Sequence, residues 1–198
     1  MAGAHRLHRR EVVATLLHDR GDLVVVAGLG ATAWDVASLG DDPRDFPLWG
    51  AMGGAAMVGL GLALAQPART VLVVTGDGEL LMGLGSLATI AAQRPRNLCL
   101  VVLDNEHYGE TGRQPTHTAR GTDLAAVALA CGFPHARTVR EPGEIEELRA
   151  DIHHRDDLFL AVVKVALTDD PMTLPPRDGA YLKNRLRLAL LGPAALRE

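Results

Sequence analysis

Two short polar clusters in this sequence carry groups that could hold an anion and a cation side by side. Gly76-Asp77-Gly78-Glu79 sets a carboxylate between two residues that permit a tight turn and close approach of a ligand. Asp104-Asn105 offers a second acid and a neutral amide oxygen. Such groups suit the binding of a diphosphate bridged by a hard divalent cation. Backbone N–H groups at a helix start would take phosphate oxygens, and the Asp77 carboxylate and Asn105 amide would take Mg²⁺. Taken alone, Asp77 could equally cap a helix, and Asp104-Asn105 could be an ordinary polar turn.

The elements that must position these residues are legible around them. Val71–Thr75 and Leu98–Leu103 are nearly all-apolar runs of the kind found in parallel strands covered on both faces. Glu79–Gln93 between them is long enough for the crossover helix that two parallel strands require. Asp77 and Asn105 then lie just past the carboxyl ends of adjacent strands, the edge at which open α/β sheets bind ligands. The expected fold class is α/β, a doubly wound, mostly parallel sheet with helices on both faces.

The rest of the chain fits that plan. His5–Arg20 reads as an amphipathic helix and Leu23–Ala27 as a buried strand. Gly28-Leu29-Gly30-Ala31-Thr32-Ala33 matches the dinucleotide fingerprint G-x-G-x-x-A. That fingerprint also needs a second strand ending in an acidic residue, whereas Gly40–Asp45 reads as a loop, which disfavours a nicotinamide site. Residues 53–66 form a Gly- and Ala-rich helix, either built for close approach to another helix or subunit or simply a small-residue core helix. A helix capped by Thr122-Asp123 covers Gly121–Gly132, a weak strand Ala136–Val139, a helix Glu141–His154 and a last strand Leu158–Val165. Residues 1–167 are expected as one domain. The tail 168–198, broken by Pro171, Pro175 and Pro176, carries an amphipathic helix over Ala180–Leu191.

Composition narrows the function classes. Lys and Arg number 20 against 24 Asp and Glu, so 20 − 24 leaves −4 and no basic field for nucleic acid. Hydrophobic residues at 47% with 22% charged describe an ordinary globular protein. Cys99 and Cys131 read as buried thiols rather than a disulfide framework. Residues 1–20 lack the apolar run of a signal peptide. Phe46–Ala68 is free of charge, but its Gly content and prolines argue against a membrane span. A cytoplasmic protein that binds neither membrane nor nucleic acid is expected.

Gly-Asp-Gly, a helix, a strand and Asp104-Asn105 together resemble the binding signature of thiamine diphosphate enzymes, in which GDG is followed after a spacer by Asn-Asn. Asp104 replaces the first Asn, and Asn105 keeps the metal-ligating second one. Trp49-Gly50-Ala51-Met52-Gly53 resembles that family's G-x-M-G turn, and Asn105-Glu106-His107-Tyr108-Gly109 its loop after the Asn. The likeness runs from about Gly21 to Val165. Within the family it resembles the small subunits of sulfopyruvate decarboxylase and phosphonopyruvate decarboxylase, through Gly109-Glu110-Thr111-Gly112-Arg113-Gln114-Pro115-Thr116.

The resemblance implies a thiamine diphosphate-binding fold and a role for each matching residue. Mg²⁺ would be held by Asp77, Asn105 and the main-chain carbonyl of His107. The diphosphate and neighbouring groups would meet Gly30, Ala31, Thr32, Gly76, Gly78, Glu79, Tyr108 and Gly109. The Gly50 carbonyl would accept from the cofactor's amino group, and Met52, the residue assigned a catalytic part, would bend the cofactor into a V. Arg113 and His117 are candidates to meet an acidic 2-oxo acid substrate such as sulfopyruvate or phosphonopyruvate. Enzymes of this kind also need a glutamate on a pyrimidine-binding domain, and no stretch before Leu23 is long enough for one. The implied arrangement is a decarboxylase subunit that works in a hetero-oligomer with a separate pyrimidine-binding subunit. A non-catalytic thiamine diphosphate-binding protein and a nicotinamide-binding domain are the alternatives.

Overall fold

A computed structural model describes residues 7–154 and 157–196. Its elements in chain order are α1 (Arg9–Leu17), β1 (Val24–Ala27), α2 (Ala31–Ala37), β2 (Asp45–Pro47), α3 (Ala55–Ala65), β3 (Val71–Gly76), α4 (Asp77–Met82) and α5 (Ser86–Gln93). There follow β4 (Leu98–Asp104), β5 (His107–Tyr108), β6 (Gln114–Pro115), α6 (Leu124–Ala130), β7 (His135–Val139), α7 (Pro142–His154), β8 (Phe159–Lys164) and α8 (Gly179–Leu191). Short 3₁₀ turns occupy Thr118–Arg120 and Gly192–Leu196.

Six strands form one sheet in the order β2-β1-β3-β4-β8-β7, and every neighbouring pair is parallel. Because side chains alternate across a strand, the apolar runs feed two separate cores. Val25, Leu72, Val101 and Ala161 pack beneath α1, α2 and α7. Val26, Val73, Leu100 and Leu160 pack beneath α3, α5 and α6. This is the doubly wound α/β architecture expected from the sequence. The chain leaves β1 toward β2 and then returns to place β3 on the other side of β1. The carboxyl ends of β1 and β3 therefore flank a switch point, where a crevice opens.

Three local expectations change. The helix expected over Glu79–Gln93 is two helices, and Asp77 and Gly78 already belong to the first turn of α4. The break lies at Gly83, whose backbone is pressed against Gly53: a Cβ on Gly53 would come within 2.9 Å of Gly83 N. Asp45, expected in a loop, opens β2, which pairs in parallel with β1. An acid that begins a strand sits at the wrong end for a ribose, so the dinucleotide reading gains nothing from this extra strand. The helix expected over His5–Arg20 is confined to Arg9–Leu17, and its predicted start at His5 lies outside the described residues.

The small-residue helix α3 packs on the sheet. A Cβ at Gly59 would overlap Val73 Cγ2 of β3, so the absent side chain is what lets the helix sit down on the strand. The tail returns across the β2 edge of the sheet. Trp49 Nε1 donates to the Pro176 carbonyl at 2.7 Å, and the Arg177 guanidinium stacks 4.7 Å from the Trp49 ring centroid. Further on, Arg185 of α8 pairs with Asp41 at 2.5 Å and donates to the Asp45 carbonyl at 3.0 Å.

Candidate active site

A cavity of about 500 Å³ lies at the switch point, outside the carboxyl ends of β1, β3 and β4. That volume lies within the range of cofactor and small-molecule sites. Each strand delivers a different part of its lining. The turn after β1 gives Leu29, Ala31 and Thr32; β3 and α4 give Gly76, Asp77, Gly78 and Glu79; the segment after β4 gives Asn105, His107, Tyr108 and Gly109. Met52 enters from the turn before α3, and Arg113 from the loop between β5 and β6. Of the residues singled out from the sequence, Gly30, Gly50 and His117 do not line the cavity; Gly30 is buried, whereas Gly50 and His117 are exposed.

Asp77 forms the floor. It is 2% exposed, and its Oδ2 accepts from Thr116 Oγ1 at 2.6 Å and lies 3.2 Å from Thr118 Oγ1. Burial lifts its pKa to about 6; the Thr116 hydrogen bond opposes that rise, and the nearby Asp104 charge adds to it. Asn105 Oδ1 accepts the His107 N–H at 2.9 Å, an Asx turn that orients the amide at the strand end. The main chain then reverses through the small β5–β6 hairpin, with Thr116 N–H bonded to the Glu106 carbonyl at 2.8 Å.

Glu79 is buried at 3% exposure and turns its carboxylate toward the first loop rather than outward. Its Oε2 accepts from Thr75 Oγ1 at 2.8 Å and from the Leu29 N–H at 3.1 Å. A Cβ at Gly28 would overlap that oxygen, so the glycine is the notch that receives Glu79. Thr32 Oγ1 donates to the Gly28 carbonyl at 2.7 Å, which fixes the other side of the same loop. Burial pushes the Glu79 carboxyl above its ordinary range. Gly78 is constrained in the same way, because a Cβ there would meet the Tyr108 ring at 2.7 Å. Met52 Cε lies 3.7 Å from that position.

The rim holds residues that sequence reasoning missed. Leu167–Asp170, at the start of the tail, lines the cavity beside Arg9 of α1. Arg9 is 5% exposed; it pairs with the fully buried Asp35 and, through Nη2, with Asp170 Oδ2 at 3.2 Å. Arg113 pairs with Asp169. Thr116, Thr118 and Lys164 were also missed. For Lys164 a signal existed: the apolar runs of β4 and β8 end in opposite charges, Asp104 and Lys164, which the parallel register sets side by side.

These donors fit a hard cation with a diphosphate. The ligands on offer are a buried carboxylate, a neutral amide oxygen and main-chain oxygens, the set Mg²⁺ prefers. No cluster of three or more His, Cys, Asp or Glu side chains among the described residues could hold a metal, so amide and backbone oxygens must complete such a site. No helix among them is long and apolar enough to cross a membrane.

A parallel sheet with a carboxylate and an amide lining one cavity at its carboxyl edge defines the class as α/β, doubly wound, with a crevice of cofactor size. Residues 31–162 match the family model of the thiamine pyrophosphate enzyme C-terminal TPP-binding domain, and this chain belongs to that family. Phosphonopyruvate decarboxylase of Streptomyces hygroscopicus is 44% identical over 158 residues, covering 79% of this chain and 36% of the relative. The chain thus spans about a third of that enzyme's length. Sulfopyruvate decarboxylase subunit beta of Methanothermobacter thermautotrophicus is 46% identical over 127 residues, 64% of this chain and 68% of the relative. In fold, the chain is similar to benzoylformate decarboxylase of Polynucleobacter necessarius, with a TM-score of 0.68 at 20% identity over 85% of this chain and 35% of that one.

Proposed function

We propose that this chain is the thiamine diphosphate- and Mg²⁺-binding subunit of a cytoplasmic 2-oxo acid decarboxylase of the sulfopyruvate or phosphonopyruvate type, completed by a separate pyrimidine-binding subunit. The observation that carries the reading is the convergence of Asp77 and Asn105 at the ends of adjacent strands, beside the Gly28–Thr32 loop. Relatives named as decarboxylases and as a subunit beta support the reaction class and the divided site.

In this reading Asp77, Asn105 and the His107 carbonyl hold Mg²⁺, with the diphosphate against Gly76–Glu79 and the loop Gly30–Thr32. Glu79 contributes by fixing that loop through the Leu29 N–H. Tyr108 and Gly109 close the metal side. Met52 would support the cofactor from below, and the Gly50 carbonyl would accept from its amino group. Thiamine diphosphate, when bound, supplies the electron sink for loss of carbon dioxide from a 2-oxo acid. This chain's residues anchor the cofactor, hold its shape and keep water from the floor. Arg113, on the rim, meets the substrate's second acidic group, exchanging its pairing with Asp169 for one with the substrate. His117, exposed and outside the cavity, is the weaker candidate for that task. The partner supplies the glutamate that activates the cofactor.

Reconstitution tests this. Carbon dioxide release from sulfopyruvate and phosphonopyruvate is measured with the chain, thiamine diphosphate and Mg²⁺, with and without a pyrimidine-binding subunit. Turnover only with both proteins is expected. Full turnover by this chain alone would remove the divided site.

A further inference from the structure

We propose that Lys164 is a positioning residue for the turn carrying Asn105 and His107, and that it forms a matched pair with Asp104 in which the lysine makes a buried aspartate tolerable beside Asp77. The inference rests on the assignment of Asp77, Asn105 and His107 as metal ligands. Its starting point is a departure from the family signature: an acid stands at 104 where thiamine diphosphate enzymes commonly carry Asn.

The parallel register of β4 and β8 sets Lys164 directly beside Asp104. Lys164 Nζ lies 2.6 Å from Asp104 Oδ2 and 3.0 Å from Glu106 Oε1, so one ammonium grips the residues on either side of Asn105. Asp104 is 1% exposed. Its Oδ1 accepts from the Glu106 N–H at 3.0 Å and from Thr118 Oγ1 at 2.8 Å. Thr118 also lies 3.2 Å from Asp77 Oδ2, and Thr116 Oγ1 is 2.8 Å from Thr118 Oγ1. Two buried carboxylates thus share one pair of hydroxyls, and Lys164 is the cation that bonds directly to one of them.

The turn itself needs holding. Glu106 has φ 66°, in the left-handed region that a side chain disfavours, and it lies between the two ligand-bearing residues. Three contacts keep it there: its N–H to Asp104, its carbonyl to Thr116 N–H at 2.8 Å and its carboxylate to Lys164. Two of the three depend on the Asp104–Lys164 pair. Removing the lysine alone leaves a buried charge uncompensated, which is the costly way to break such a pair. Burial works against the Lys164 charge, but the hydrogen bonds to Asp104 and Glu106 outweigh it and hold its pKa above the ordinary value.

A double-mutant cycle tests the pair, using the full chain. Hydrogen exchange of the Glu106 and His107 amides is read without ligand, and thiamine diphosphate affinity by calorimetry at saturating Mg²⁺. Lys164→Met should speed exchange of both amides and weaken affinity, each by about tenfold or more, an effect on the scale of outer-shell substitutions at metal sites. Adding Asp104→Asn to Lys164→Met should bring both to within about threefold of the parent, because the uncompensated charge is gone. Lys164→Gln should lie between, and it carries the test if the Met variant does not fold. Parent-like exchange and affinity in the single variants overturn the proposal, as does a double variant no better than Lys164→Met. If the parent takes up no thiamine diphosphate, the ligand assignment fails, and the exchange cycle alone decides whether Lys164 sets the turn.

Discussion

The floor and the rim of the cavity are built by opposite means. On and just beneath the floor Asp77, Glu79 and Asp104 are each at most 3% exposed, and hydroxyls, backbone N–H groups and one lysine bond to them, with Glu79 held through Oε2 alone. On the rim the Arg113 and Asp169 side chains are 51% and 76% exposed and hold each other by charge. Buried hydrogen-bonded charges fix a geometry, whereas exposed pairs contribute little stability and exchange partners readily. The floor is therefore suited to a permanent ligand such as a cofactor. The rim is suited to a substrate that arrives and leaves.

The most damaging change to the floor should be Asp77→Asn. It keeps an acceptor for Thr116 and removes only the charge, so thiamine diphosphate affinity at saturating Mg²⁺ should fall by about 100-fold or more, roughly 2.7 kcal/mol. Its melting temperature at pH 7 should hold or rise, because a buried charge has been removed. A marked loss of stability with unchanged affinity would make Asp77 a structural residue. Gly28→Ala strikes the floor indirectly by filling the notch for Glu79. Urea unfolding should show a loss of about 1–3 kcal/mol, the usual cost of overpacking. A neutral result would mean that Glu79 has another place to go.

Met52→Ala, between floor and rim, should lower turnover of the reconstituted enzyme by about tenfold while changing cofactor affinity less, since bending the cofactor matters to reaction geometry. Steady-state kinetics beside calorimetry separates the two. Asp169→Ala on the rim should change stability by no more than about 1 kcal/mol. In the same variant KM for a doubly acidic 2-oxo acid should fall, because Arg113 no longer has a competing partner. A rise in KM would instead make Asp169 part of the substrate site.

The same division explains what the sequence disclosed. Asp77 and Asn105 were legible because a strand's apolar run and the turn behind it are local, and the chain's alternation between faces is built into each strand. The strap formed by Leu167–Asp170 and the inward-facing Arg9 were not, since they depend on where a distant segment lands. Arg113 and His117 stood equal as loop cations, but Thr116 and Thr118 are buried while His117 between them is exposed. The turn into the 3₁₀ helix at Thr118, with His117 in a helical conformation, decides which side chain meets Asp77. The break at Gly83 had no local signal beyond a glycine, because its cause is the approach of Gly53 from another loop.

Titration of the purified chain with thiamine diphosphate, in the presence of Mg²⁺ and again after its removal with a chelator, tests the central claim most directly. Saturable binding of one cofactor per chain that requires the metal and is lost in Asp77→Asn is the predicted result. Metal-independent binding, or uptake of NAD in place of thiamine diphosphate, would contradict the account.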